Sequence, residues 1–168
     1  RSARPLVEGT VPRGHLREDD AFYRGLDADG NFVARMPVEV DQAMLERGRE
    51  RYEIFCAPCH AKVGDGMGMI VQRGYKQAAS YHTDRLRAIE DGYIYDVITN
   101  GFNQMQGYAS MVKPADRWAI VAYVRALQLS RMVEVADLEP EVREALEHEG
   151  EYDPHATAHE GDEHGSAH

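Results

Sequence analysis

Cys56-Ala57-Pro58-Cys59-His60 is the stretch whose residue types and spacing can do chemistry. Two cysteines three positions apart, with a histidine directly after the second, are what covalent attachment of a c-type haem requires. Two thiols on about one turn of chain reach the two vinyl groups on one edge of the porphyrin, and His60 is then held as the proximal iron ligand. The same string is also compatible with a thioredoxin-like dithiol or half of a zinc site. Cys56 and Cys59 are the only cysteines in the 168 residues. A four-thiolate zinc site is therefore out of reach, and no second cluster has the spacing of a zinc knuckle.

A haem needs a second axial ligand or an open face, and that choice separates an electron carrier from a catalyst. Met67, Met69, Met105 and Met111 are candidates, as are His15 and His82. Context favours Met105, in a loop that follows one expected helix and precedes another, placed to cover the far face. His/Met ligation raises the reduction potential and leaves no coordination position for substrate. No nucleophile elbow, Walker loop, dinucleotide fingerprint or HExxH is present. The expectation is an electron-transfer subunit with no catalytic site of its own.

The elements that position these residues follow from periodicity. Asp41 is a good N-cap for a helix over 42–55, with Met44, Gly48 and Tyr52 on one stripe and Leu45 and Phe55 beside it. Gly48 costs a helix interior ~1 kcal/mol relative to Ala, which close approach of another helix would explain. Pro114 suits a helix start, and Ile120, Tyr123, Val124 and Leu127 recur at helical spacing, so Tyr123 lying over Gly48 would close the pair. Between them, Lys62 to Gly74 reads as a loop, Thr83 or Asp84 caps a short helix through Glu90, Asp91-Gly92 separates it from another through Thr99, and Asn100-Gly101 turns the chain. No stretch reads as a strand.

The flanks differ in composition. Residues 1–40, rich in Arg, Pro, Gly and Asp, read as an extended arm with Leu6, Val7, Val11, Phe22, Tyr23, Phe32 and Val33 as anchors, a partner subunit being one candidate for what they touch. After Arg131, Val135 to Leu146 reads as an acidic helix. From Glu147 onward the chain is a solvated tail carrying His148, His155, His159, His164 and His168. Formal net charge is -10, which disfavours nucleic acid and suits a basic protein partner. No apolar run approaches the ~20 residues of a membrane span.

These residues resemble class I cytochrome c domains over roughly Asp41 to Arg131: Gly48 with Tyr52, Cys56 to His60, Gly64-Asp65-Gly66, Ile98 to Met105, and Trp118 to Leu127. The resemblance implies an all-α class I cytochrome c-like fold, four or five short helices around one covalently bound haem c. It divides the chain into an N-terminal arm (1–40), a monohaem domain (41–131) and an acidic His/Glu-rich extension (132–168). Residues 4–14, 46–52 and 116–128 look in addition like the monohaem cytochrome c subunit of bacterial alternative complex III, a membrane quinol oxidoreductase. That likeness implies a place on the periplasmic side of the inner membrane, with a multihaem cytochrome, an iron–sulfur protein and integral membrane subunits as partners. Electrons would pass toward a soluble cytochrome or terminal oxidase. It implies membrane association through those subunits or through a lipid anchor upstream of Arg1, and it makes the 1–40 arm a docking element.

Overall fold

The computed structural model describes residues 10–11, 17–140 and 142–144, and the chain divides into two units, Arg1–Arg131 and Met132–His168. In the second unit the described residues form a short 3-10 turn at Val135–Asp137, and Arg143 donates back to the carbonyls of Ala136 and Leu138. Residues 140 and 142–144 of the acidic helix expected there are helical, while its residues 141, 145 and 146 and the five tail histidines lie outside the described residues.

The first unit is helical. Its order is α1 (Asp20–Arg24), α2 (Gln42–Phe55), α3 (Ala57–His60), α4 (Met69–Gln72), α5 (Asp84–Ala88), α6 (Asp91–Asn100), a hairpin of β1 (Gly101–Phe102) and β2 (Met105–Gln106), and α7 (Pro114–Ser130). Helix α2 starts where the cap demands, with the Asp41 carboxylate accepting from the Met44 amide at 2.7 Å. Helix α7 opens on Pro114, whose missing N–H costs nothing in the first turn.

The two long helices cross at Gly48. A Cβ there would run into the carbonyl oxygen of Ala119 and come 3.0 Å from Tyr123 Cβ. Only a residue without a side chain lets the backbones approach this closely. Around the crossing, Tyr52, Tyr95, Trp118, Ile120, Val121 and Val124 are almost wholly buried and form the core with Cys56, Ile98 and Val112.

Three local expectations change. Asp91-Gly92 is not a break but the first turn of α6. Gly92 is tolerated there because it packs on the main chain of Gly25 and Val33, where any side chain would collide. A strand pair exists where none was expected, although it is only a two-residue ladder, Gly101 opposite Gln106 and Phe102 opposite Met105. The described part of the arm is partly helical and folds on its own chain: the Trp118 indole donates to Phe22 O at 2.8 Å, Tyr95 OH to Tyr23 O at 3.2 Å, and the Val33 amide to Gly25 O at 2.9 Å. The carbonyls of Phe22 and Tyr23, together with Val33 O, which accepts from the Gly92 amide at 3.0 Å, thus anchor α1 and the chain after it to α6 and α7.

Candidate haem site

Helix α2 delivers the motif. Its last turn ends on Cys56, whose amide donates to Tyr52 O at 2.8 Å, and the next four residues wind into the single turn of α3. Within it the amides of Cys59 and His60 both donate to Cys56 O, at 3.1 and 2.9 Å. Cys56 and Cys59 therefore lie on the same face of one turn, three residues apart. Both are free thiols. Cys56 belongs to the buried core while Cys59 is half-buried, and burial pushes the Cys56 thiol up to about 12.

The turn stops at Ala61, a non-glycine residue with φ 63°. Tyr52 OH donates to Ala61 O at 2.7 Å and fixes this strained exit from the motif. The glycine loop then lies directly on α3. Gly66 N donates to His60 O and Gly68 N to Cys59 O, both at 3.0 Å. A Cβ on Gly68 would strike the main chain of residues 57–59, and one on Gly66 the carbonyl of Ala78. The Gly64-Asp65-Gly66 and Gly68 spacing thus allows the loop to approach the motif at backbone distance.

His60 is oriented from the far side of that loop. Its Nδ1 lies 3.3 Å from Ala79 O, so the Nδ1–H tautomer donates there and the Nε2 lone pair is left for a metal. The arrangement is the carbonyl-to-histidine support that sets ring orientation in metal sites. Burial lowers the basicity of His60, partly offset by the Ala79 carbonyl, which favours the neutral, ligating imidazole. Tyr81 stacks against the ring, centroids 4.7 Å apart and planes at 16°. Tyr81 is in turn edge-on to Tyr52 at 6.2 Å, and its amide is held by Gly64 O at 2.9 Å. Burial raises the Tyr81 phenol well above its ordinary range, which keeps it neutral beside the imidazole.

The remaining predicted ligand comes from elsewhere in the chain. Met105 sits partly buried on β2, opposite Phe102. The root of the hairpin is pinned to the end of α6 by Tyr108 N to Ile98 O at 2.8 Å and Ala109 N to Thr99 O at 3.3 Å. Gly101 (φ 83°) and Gly107 make that closure possible, since a Cβ on either would meet the opposite main chain. Three residues after Met105, the Tyr108 ring packs edge-on against Phe55 at 6.2 Å. Phe55 immediately precedes Cys56, so the hairpin segment closes back on the end of α2 that bears the motif.

The rival ligands are disposed differently. Met67, Met69 and Met111 are exposed. The imidazole Nε2 of His82 is engaged with Val63 O at 2.7 Å. His15 lies outside the described residues. No group of three or more His, Cys, Asp or Glu side chains among the described residues could hold a metal ion by itself.

The donor set suits a covalently attached haem. Two uncombined thiols share one turn, the following histidine has its outer nitrogen tied back and its inner one available, and the loop beside them is reduced to backbone by glycines. Sequence reasoning did not single out Ala79, whose contribution is a main-chain carbonyl and carries no residue signature. Nor did it single out Tyr81, which stands alone in a polar segment.

Comparison with known proteins gives a family match that lies within the first unit. The family model described as cytochrome c oxidase, cbb3-type, subunit III matches residues 43–124. No curated protein matches the chain. Among solved structures, a chain of the Kuenenia stuttgartiensis reducing HAO-like protein complex is similar at 19% identity and a TM-score of 0.47, covering 71% of this chain and 64% of that one. This chain therefore spans less than two thirds of that relative's length. Haem-based electron transfer is the activity that goes with such a domain, and haem c is the cofactor it implies. The family match supports a cytochrome c domain over residues 43–124, and the fold is the all-α, class I cytochrome c-like one.

Proposed function

We propose that this chain is a one-electron relay holding one haem c, with Cys56 and Cys59 as the attachment thiols and His60 and Met105 as the axial ligands. The observation that carries the reading is the Cys56–His60 turn, in which His60 Nδ1 faces Ala79 O while both thiols remain free. Haem bound there supplies an iron couple that takes and gives a single electron. The chain's own residues do the rest. Ala79 O and the stacked Tyr81 fix the imidazole, the Tyr52 hydroxyl fixes the exit from the motif, and the hairpin carries the thioether of Met105. With both faces of the iron filled, no position is left for substrate.

The sequence likeness in residues 4–14, 46–52 and 116–128 supports a finer reading: a subunit of a membrane quinol oxidoreductase of the alternative complex III type. It would act on the periplasmic face beside multihaem, iron–sulfur and integral membrane subunits and pass electrons to a soluble cytochrome or oxidase. In this reading attachment comes through partners or a lipid anchor; among the described residues no helix is long and apolar enough to cross a membrane. The alternative is a freestanding periplasmic cytochrome or the cytochrome subunit of another periplasmic dehydrogenase.

The absorption spectrum before and after acid–acetone extraction tests the haem reading. Colour retained in the protein, with the weak red band of Met-to-ferric-iron ligation beforehand, is the expected result. Extractable haem removes the covalent assignment, and absence of the red band removes Met105. For the docking reading, truncation should stop before Arg17, because Phe22, Val33 and Met36 pack against the domain's own core and the chain around them is hydrogen-bonded to it. A truncated protein that still co-purifies with the membrane subunits would refute docking by residues 1–16.

A further inference from the structure

Arg117 is only 4% exposed, yet every partner its guanidinium has among the described residues is neutral. Burying a cation without a carboxylate is unfavourable, and an apolar side chain at the same helical position would avoid that cost. The cost has to be offset by what the guanidinium holds. Nε donates to Val112 O at 2.9 Å, and NH1 donates to Thr99 Oγ1 at 2.8 Å and to Tyr95 OH at 3.3 Å. NH2 reaches Ala109 O at 3.5 Å, and the charge sits 5.3 Å from the centre of the Tyr95 ring. Tyr95 and Thr99 belong to α6, which leads into the hairpin. Ala109 and Val112 belong to the segment that returns from it. One planar fork therefore ties the outgoing chain to the returning chain.

We propose that Arg117 is the positioning residue of the Met105 loop, a lock that keeps residues 101–112 closed and so protects the sixth ligand from displacement by external ligands. The proposal rests on the assignment of Met105 above. Without the fork, the hairpin root keeps two main-chain bonds, at Tyr108 and Ala109, beside the packing of Tyr108 on Phe55 and of Val112 in the core. A segment held by so few bonds opens locally without unfolding the helices behind it. The fork geometry matters as well as the charge. A lysine at 117 supplies a single point of donation and cannot span both strands of chain.

The test uses the haem-loaded full chain and two variants, Arg117→Lys and Thr99→Val, the second removing one acceptor while leaving the arginine in place. Amide hydrogen exchange is followed by mass spectrometry across 101–113 and, as reference, across α2 and α7. Cyanide affinity of the ferric protein is measured in parallel. The expected result for Arg117→Lys is exchange at least tenfold faster in 101–113 with the reference helices unchanged, and cyanide binding at least tenfold tighter. A single charge-assisted hydrogen bond is worth about that factor. Thr99→Val should move both readouts in the same direction and remains informative if the lysine variant does not fold. Unchanged exchange in 101–113, or acceleration shared equally by α2 and α7, overturns the proposal. Absence of the red band in the unsubstituted protein would instead defeat the Met105 assignment, and loop exchange would still decide what Arg117 does.

Discussion

Gly48→Ala is the substitution whose outcome depends most directly on the geometry that holds the domain together. Helix propensity alone predicts stabilisation, since alanine is favoured over glycine in a helix interior by about 1 kcal/mol. The crossing predicts the reverse. The added methyl would overlap the Ala119 carbonyl oxygen, lie 2.7 Å from the Ala119 carbonyl carbon and 3.0 Å from Tyr123 Cβ. The first two are main-chain atoms of α7, so no rotamer change relieves the contact and the helices must separate. Overpacking of a close-packed core costs about 1–3 kcal/mol, and a clash with backbone belongs at the upper end. Subtracting the propensity gain leaves a net loss of about 2 kcal/mol. At about 4 °C per kcal/mol for a domain of this size, Tm should fall by about 8 °C. Thermal unfolding of the haem-loaded protein, followed by far-ultraviolet circular dichroism, measures it. Haem content should not change under the covalent attachment proposed above. A Tm equal to or above that of the unsubstituted protein would show that α2 and α7 do not meet at backbone distance, and the account of the core would fail with it.

Three further outcomes follow from the site and its supports. Tyr52→Phe leaves the Ala61 carbonyl without its 2.7 Å donor beside the motif and should lower unfolding free energy by about 1–3 kcal/mol in denaturant titration; an unchanged midpoint would mean that solvent takes over the bond. Gly66→Ala places a methyl against the Ala78 carbonyl at a position of φ 84° and so displaces the neighbouring Ala79 acceptor of His60. The expected result is a weakened red band or a shifted reduction potential, and a spectrum and potential identical to those of the unsubstituted protein would argue against His60 orientation by Ala79. Asp116 is held below the usual carboxylate range mainly by its hydrogen bond to Arg47, Nε to Oδ1 at 2.7 Å. Because its folded-state pKa is depressed, the stabilisation is present above about pH 4, the unfolded value, and is lost as pH falls through the folded one. The Tm gap between the unsubstituted protein and Asp116→Asn should therefore shrink steadily below pH 4, and a constant gap from pH 6 to pH 2.5 would exclude that linkage.

What the sequence determined by itself is local. Cys56, Cys59 and His60 are legible because the chemistry constrains neighbouring residues, and the helix bounds are legible because caps and apolar periodicity act over a few positions. The Asp41 cap and the Pro114 start are both seen where the residue types place them. Gly48 lies between the two cases: a glycine inside a helical stripe announces a close approach, and Tyr123 at matching spacing suggests the partner. The tertiary structure decided what depends on distant segments meeting. It brought Ala79 O to His60 Nδ1, although a main-chain carbonyl has no sequence signature. It made Gly92 part of α6 instead of a break, because the neighbouring backbone of Gly25 and Val33 fills the space a side chain would need. It set the Phe22 and Tyr23 carbonyls against Trp118 and Tyr95 of the same chain, where composition had suggested an extended arm with a partner subunit as one candidate for what its anchors touch. And it buried Arg117 between the two limbs of the Met105 loop, a role hidden in the sequence because an arginine in a helix reads as a solvated charge until the carbonyls around it are known.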